Sequence, residues 1–136
     1  MQELLEAVLS GARHPDLTGV DVVVEPALSA TASDLLAADG VVVGTPANIG
    51  YMSGALKHFF DGVYYPALDA TVGLPYGLYV HGGSDTGGAV RSVERVVSGL
   101  RWRRAAQDVV VTGPVDRTAV EACTDLGGTL AAMLLG

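Results

Sequence analysis

Short, unbroken apolar runs alternate along the chain with stripes of helical period, and few arrangements satisfy that pattern. Val20-Asp21-Val22-Val23-Val24, Val41-Val42-Val43, Tyr76 to His81 and Asp108 to Thr112 read as strands. Between them lie helical stripes: Leu4, Leu5, Val8 and Leu9; Leu56, Phe59, Phe60 and Val63; Val90, Val93, Val97 and Leu100; and Val120, Cys123, Gly127, Leu130 and Leu134. A short helix is expected from Ser29 to Asp39, and Ser53 is placed to N-cap the helix that follows it. The order is αβαβαβαβα. Strands that are apolar on both faces and separated by amphipathic helices define a parallel sheet covered on both sides. The fold class is therefore a three-layer, doubly wound α/β sheet, and at 136 residues the expectation is a single domain over 1–136.

Composition narrows the function. The formal net charge of −7 argues against nucleic acid and anionic membranes as partners. No apolar stretch approaches the roughly 20 residues of a membrane span, and no signal-peptide pattern opens the chain. The single cysteine, Cys123, excludes an internal disulfide and is expected in the core; it suits a reducing compartment, so a cytoplasmic location is expected. The three histidines share no ligand spacing with Cys123, so no metal site is expected. Five of the eight basic residues fall between Arg91 and Arg104, around Trp102. They are read as a solvated helix end and strand lead-in, with a dinucleotide phosphate site or an interface as alternatives.

Two loops carry the candidate chemistry. Open α/β sheets bind ligands beyond the carboxyl ends of their strands, and both loops follow strands. In Thr45–Met52, Gly44 is expected to let the strand end turn, and Pro46 stiffens the backbone. Asn48 offers an amide, and Gly50 can take positive φ and free its neighbours' N–H groups. Ile49, Tyr51 and Met52 add apolar contact. In His81–Gly88, four glycines in eight residues point to close approach of backbone to another group. His81, Ser84, Asp85 and Thr86 supply polar groups there. A flat ligand with polar edges suits this pair of loops; the bland reading of the second is a flexible turn.

The stretch GTPANIGYMSGALKHFFD, from Gly44 to Asp61, resembles the loop after the third strand in the flavodoxin-like superfamily. It is most similar to the branch of NAD(P)H-dependent FMN reductases and quinone oxidoreductases. Gly44, Pro46, Ser53, Gly54, Leu56, Lys57, Phe59 and Asp61 match that branch's G-x-P-x-x-x-x-x-x-S-G-x-L-K-x-F-x-D in order. YVHGGSDTGGA, from Tyr79 to Ala89, resembles the flavin-bordering loop after the fourth strand. The resemblance implies FMN as cofactor, NAD(P)H as co-substrate and a quinone or flavin as acceptor. It implies that Thr45, Pro46, Ala47, Asn48, Ile49, Gly50 and Met52 lie along the ribityl chain and ring edge, with His81, Gly82, Gly83 and Asp85 along the other edge. No catalytic acid or base is assigned. A one-electron carrier and a flavin-free binding domain stay open as alternatives. Tyr64, Tyr65 and Pro66 could present an aromatic patch for a homo-oligomer.

Family members open with a strand and a Ser/Thr-rich phosphate loop, giving a 2-1-3-4-5 sheet, and here no such strand stands before Gln2. The favoured expectation is that Met1 is an internal methionine of a protein roughly 15–20 residues longer, the length of one strand with its loop. The other is that Val20–Val24 pairs directly with Val41–Val43.

Overall fold

The computed structural model describes residues 1–135. The elements are α1 (Gln2–Ala12), α2 (Ala32–Leu36), β1 (Val41–Pro46), α3 (Gly54–Ala67), β2 (Pro75–Gly82), α4 (Thr86–Leu100), β3 (Arg103–Arg104), β4 (Val109–Thr112) and α5 (Arg117–Leu135). All strand pairings are parallel. β2 is central, pairing β1 from Val41↔Tyr76 to Pro46↔His81 on one side. On the other it pairs β3 at Pro75↔Arg103 and β4 from Tyr79↔Val109 to Gly82↔Thr112.

Alternation along β2 divides the interior in two. Leu78 and Val80 join Leu56, Phe60, Val63, Val93, Val97 and Trp102 beneath α3 and α4. Tyr79 joins Val111, Leu4, Val8, Cys123 and Leu126 beneath α1 and α5. Helices thus cover both faces of a parallel sheet, as the apolar runs require. Trp102 fills the larger core while its indole N–H donates to Thr71 Oγ1 at 2.8 Å, so the buried polar end is satisfied. Two of the arginines near it make surface pairs, Arg101 with Asp69 at 3.1 Å and Arg104 with Glu94 at 2.9 Å.

Local signals explain the helix starts. Ser53 Oγ accepts from the Leu56 N–H at 3.1 Å, the expected cap of α3. Thr31 and Asp34 form a reciprocal capping box on α2. The helix expected over Ser29–Asp39 is consequently shorter: Ser29 and Ala30 donate to Pro26 O in a turn, and regular helix runs only from Ala32 to Leu36. The helix after the second glycine loop begins earlier than the valine stripe suggests, at Thr86, so Gly87 and Gly88 form its first turn.

The largest departure concerns Val20–Val24. Read as a strand, it pairs with nothing among the described residues, and β1 pairs with β2 alone. Direct pairing with Val41–Val43 is not formed. Val23 and Val24 are 71% and 42% exposed. Gly19 packs near the Leu135 side chain and Gly40 near that of Leu134, so both valine runs set out from the last turn of α5. β1 finds a partner and Val20–Val24 does not. Propensity alone does not make a strand; a neighbour at hydrogen-bonding distance does.

Candidate functional site

At the carboxyl end of β1, Ala47 N–H donates to His81 O at 2.9 Å and extends the ladder one step past Pro46. The chain then reverses. Asn48 N–H donates to Tyr51 O at 2.8 Å, and Tyr51 N–H to Asn48 O at 3.0 Å. The two central residues, Ile49 and Gly50, have φ of 49° and 69°. A tight hairpin with both central residues left-handed has the character of a type I′ turn. Glycine suits the second place. Isoleucine at the first is unusual, since a β-branched residue with positive φ strains against its own backbone by roughly 1–2 kcal/mol. Its side chain is fully exposed, so no packing inside the molecule offsets that cost.

The second loop meets this turn through glycines. A Cβ on Gly50 would strike the Asp85 carboxylate, and one on Gly88 would strike the Gly50 carbonyl. A Cβ on Gly82 would stand 2.8 Å from that of Ala47. The glycine richness of His81–Gly88 therefore has a steric cause at Gly82 and Gly88, where two loops touch. Asp85 takes φ of 50° at the N-cap of α4 and makes no side-chain capping bond, and its carboxylate lies beside the turn. Ile49, Gly50, Gly83 and Ser84 donate to no backbone acceptor among the described residues.

The expected site residues divide into two groups. Asn48, Ile49, Gly50, Gly83 and Asp85 come together on one surface, with Tyr51 beside them. Pro46, Ala47 and Gly82 form the packed base beneath it. Thr45 and Met52, expected as ligand contacts, are framework instead, because both side chains are buried. Thr45 Oγ1 accepts from Ser53 N–H at 2.9 Å and donates to Pro46 O. Met52 packs in the larger core, and its N–H donates to Ser92 Oγ at 3.0 Å. The ring of His81 also turns away, with Nε2 2.8 Å from Gly113 O, tying the end of β2 to the turn after β4. Since a carbonyl only accepts, Nε2 carries the proton. The only trace of Ser92 in the sequence is a serine inside the Val90–Val93–Val97 stripe.

Gly44 has a different role from the one expected. It lies within β1, opposite Tyr79, whose ring occupies the space a Cβ would need. Burial pushes the Tyr79 hydroxyl up to about 12 and the Cys123 thiol up to about 11. Both stay protonated at neutral pH, and Cys123 is inert core, as expected.

An FMN ring fits this surface on three observations: a fully exposed apolar side chain held at the tip of a strained turn, unpaired N–H groups on both loops, and glycine contacts that fix one loop against the other. Neither loop carries a lysine or arginine. A groove of about 630 Å³ lies along β4 and α5 and is separate from this surface.

The fold and these loops define a flavodoxin-like α/β protein of the FMN-binding class. The chain belongs to the NADPH-dependent FMN reductase family, whose model matches residues 7–113. It is similar to a flavodoxin of Aquifex aeolicus (strain VF5), 42% identical over 62 residues, a match spanning 46% of this chain and 32% of that protein. Among solved structures it is similar to the flavodoxin of Streptococcus pneumonia TIGR4, at 25% identity and a TM-score of 0.80, covering 97% of this chain and 90% of that one. A flavodoxin from the domain Archaea matches at 15% identity and a TM-score of 0.83, covering 99% of this chain and 90% of its own, a likeness of fold. Among the described residues no helix is long and apolar enough to cross a membrane.

Proposed function

We propose that this protein is an FMN-dependent NADPH oxidoreductase that passes reducing equivalents to a small acceptor, a quinone or a second flavin. The observation that carries the reading is the joined surface of the two loops, with Ile49 presented at its tip. When bound, FMN would supply the hydride chemistry between NADPH and the acceptor. The chain's own part is to bind and orient. The Ile49 and Tyr51 side chains offer apolar contact to the ring. The N–H groups of Ile49, Gly50, Gly83 and Ser84 offer donors to its polar edges. The Asp85 carboxylate, beside Gly50, would oppose negative charge on a ring held against the turn. Asn48 closes the turn that keeps these groups in place.

The experiment is an FMN titration followed by flavin fluorescence and visible absorbance, with Gly50→Val beside the natural sequence. The added side chain would meet both an unfavourable φ and Asp85. Saturable binding that weakens at least tenfold in Gly50→Val, followed by NADPH oxidation in the presence of a quinone, supports the reading. Binding without NADPH oxidation replaces it with an electron carrier. Absence of binding removes flavin chemistry and leaves a partner-binding domain.

A further inference from the structure

The groove along β4 belongs to none of this chemistry. β4 pairs β2 on one side only. Gly113 N–H donates to Gly82 O at 2.8 Å. Backbone groups alternate sides along a strand, so Val109 and Val111 also turn their N–H and C=O groups to β2. Those of Val110 and Thr112 then point outward, into the groove. Its other wall is the outward face of α5, including Ala122 and Asp125. Val110 is 45% exposed. A sheet edge facing a helix across an open groove is the geometry in which an extended peptide adds a strand.

Charge selects the occupant. Asp108, Asp116 and Asp125 line the groove, and no lysine or arginine does. Asp108 has one carboxylate oxygen, Oδ1, that is buried without a hydrogen-bond partner. Its other oxygen lies 3.4 Å from Arg104. A second copy of this chain would bring the same carboxylates to an already acidic edge, and like charges placed together are costly. Asp116 caps the start of α5, its Oδ1 accepting from Ala119 N–H at 2.9 Å, and Asp125 lies within α5, about 13 Å further along the helix axis. That rise is about four residues of extended strand, the spacing at which basic side chains at i and i+4 share a face.

We propose that the open edge of β4 captures an extended, basic segment of a partner protein, which adds as a strand between β4 and α5. The backbone of Val110 and Thr112 supplies the ladder, and the Asp116 and Asp125 carboxylates supply the selectivity for cations.

The test is fluorescence anisotropy with a fluorescein-labelled peptide, Lys-Thr-Val-Thr-Lys. Binding should saturate, weaken several-fold between 50 and 500 mM salt, on the principle that exposed charges are screened, and fail for Glu-Thr-Val-Thr-Glu. Val110→Pro removes an outward N–H at an edge, where proline is tolerated; it should weaken binding at least tenfold with an unchanged circular dichroism spectrum. Asp125→Lys, on an exposed helix position, should weaken the basic peptide and admit the acidic one. No saturable binding to the natural sequence overturns the proposal. So does equal binding of both peptides, or unchanged binding by Asp125→Lys and a folded Val110→Pro. A concentration-dependent dimer that Val110→Pro abolishes would also overturn it, in favour of pairing between copies.

Discussion

Val20–Val24 and Val41–Pro46 are two valine-rich runs that start from the same end of α5, yet only one is a strand. β1 has a six-residue register with β2, and its Val43 and Thr45 side chains are buried in the interior. Val20–Val24 has no strand partner among the described residues, and two of its valines face solvent. The residue types barely differ, so the difference lies in what stands beside them. A strand is a pair property, and its stabilisation comes from cross-strand contacts and burial more than from the preferences of its own residues.

Amide hydrogen exchange gives the largest contrast. Ala47 donates to His81 O, and by alternation the Val43 and Thr45 amides also face β2. They should exchange at least ~10³-fold more slowly than those of Val22 and Val23. The Val42 and Gly44 amides face the open edge of β1, so they should exchange quickly even though they lie in a strand. Equal protection of Val23 and Val43 would end the distinction between the two runs.

Truncations carry the same contrast into stability. Phe60→Ala in the larger core should cost about 3–5 kcal/mol in urea unfolding, whereas Val23→Ala should stay within about 0.5 kcal/mol. A cost above 1 kcal/mol for Val23→Ala would show that the unpaired run is held by packing. Gly44→Ala asks whether β1 is fixed by its neighbour's ring. Overpacking against Tyr79 should cost about 1–3 kcal/mol, and Tyr79→Leu in the same molecule should recover part of it. A purely additive pair would separate the two sites.

The smallest effect is alkaline. Burial raises the Tyr79 hydroxyl to about 12 from its ordinary value of 10.0. Its contribution is fully present below the unfolded value and is lost as pH rises towards the folded one. At pH 10 the loss is about 0.4 kcal/mol. Tyr79→Phe should lack that share of the decline between pH 9 and 10, and an unchanged pH profile would mean the ring is better hydrated than its burial implies.

These contrasts also mark what was legible in the sequence. Local chemistry was: the Ser53 cap, the stripe of Leu56, Phe59, Phe60 and Val63, and the alternation that sets two faces on β2. Pairwise facts were not. That Gly44 answers to Tyr79, Gly88 to Gly50, and Thr45 to Ser53 depends on which segments meet, and spacing along one chain does not report that. The candidate surface divided the same way. Residues whose role is conformational, such as Gly50, stood out by type. Thr45, Met52 and His81 have side chains equally fit for a ligand or for the framework, and only packing assigned them to the framework.

The hold on α1 has a consequence for how the molecule could be cut. A Cβ on Gly11 would strike the Thr124 carbonyl, and one on Gly127 would strike that of Val8. The two helices therefore meet backbone to backbone, through glycines on both, and Leu4 and Val8 are sealed under α5. The connection from Arg13 to Ala30 contains no helix or paired strand, so it is the natural place for a protease to act. Cleavage there would divide the covalent chain without separating its parts. The first dozen residues would stay docked on α5 as a bound peptide, and the molecule would behave as a two-piece protein whose halves recognise each other through a glycine seam.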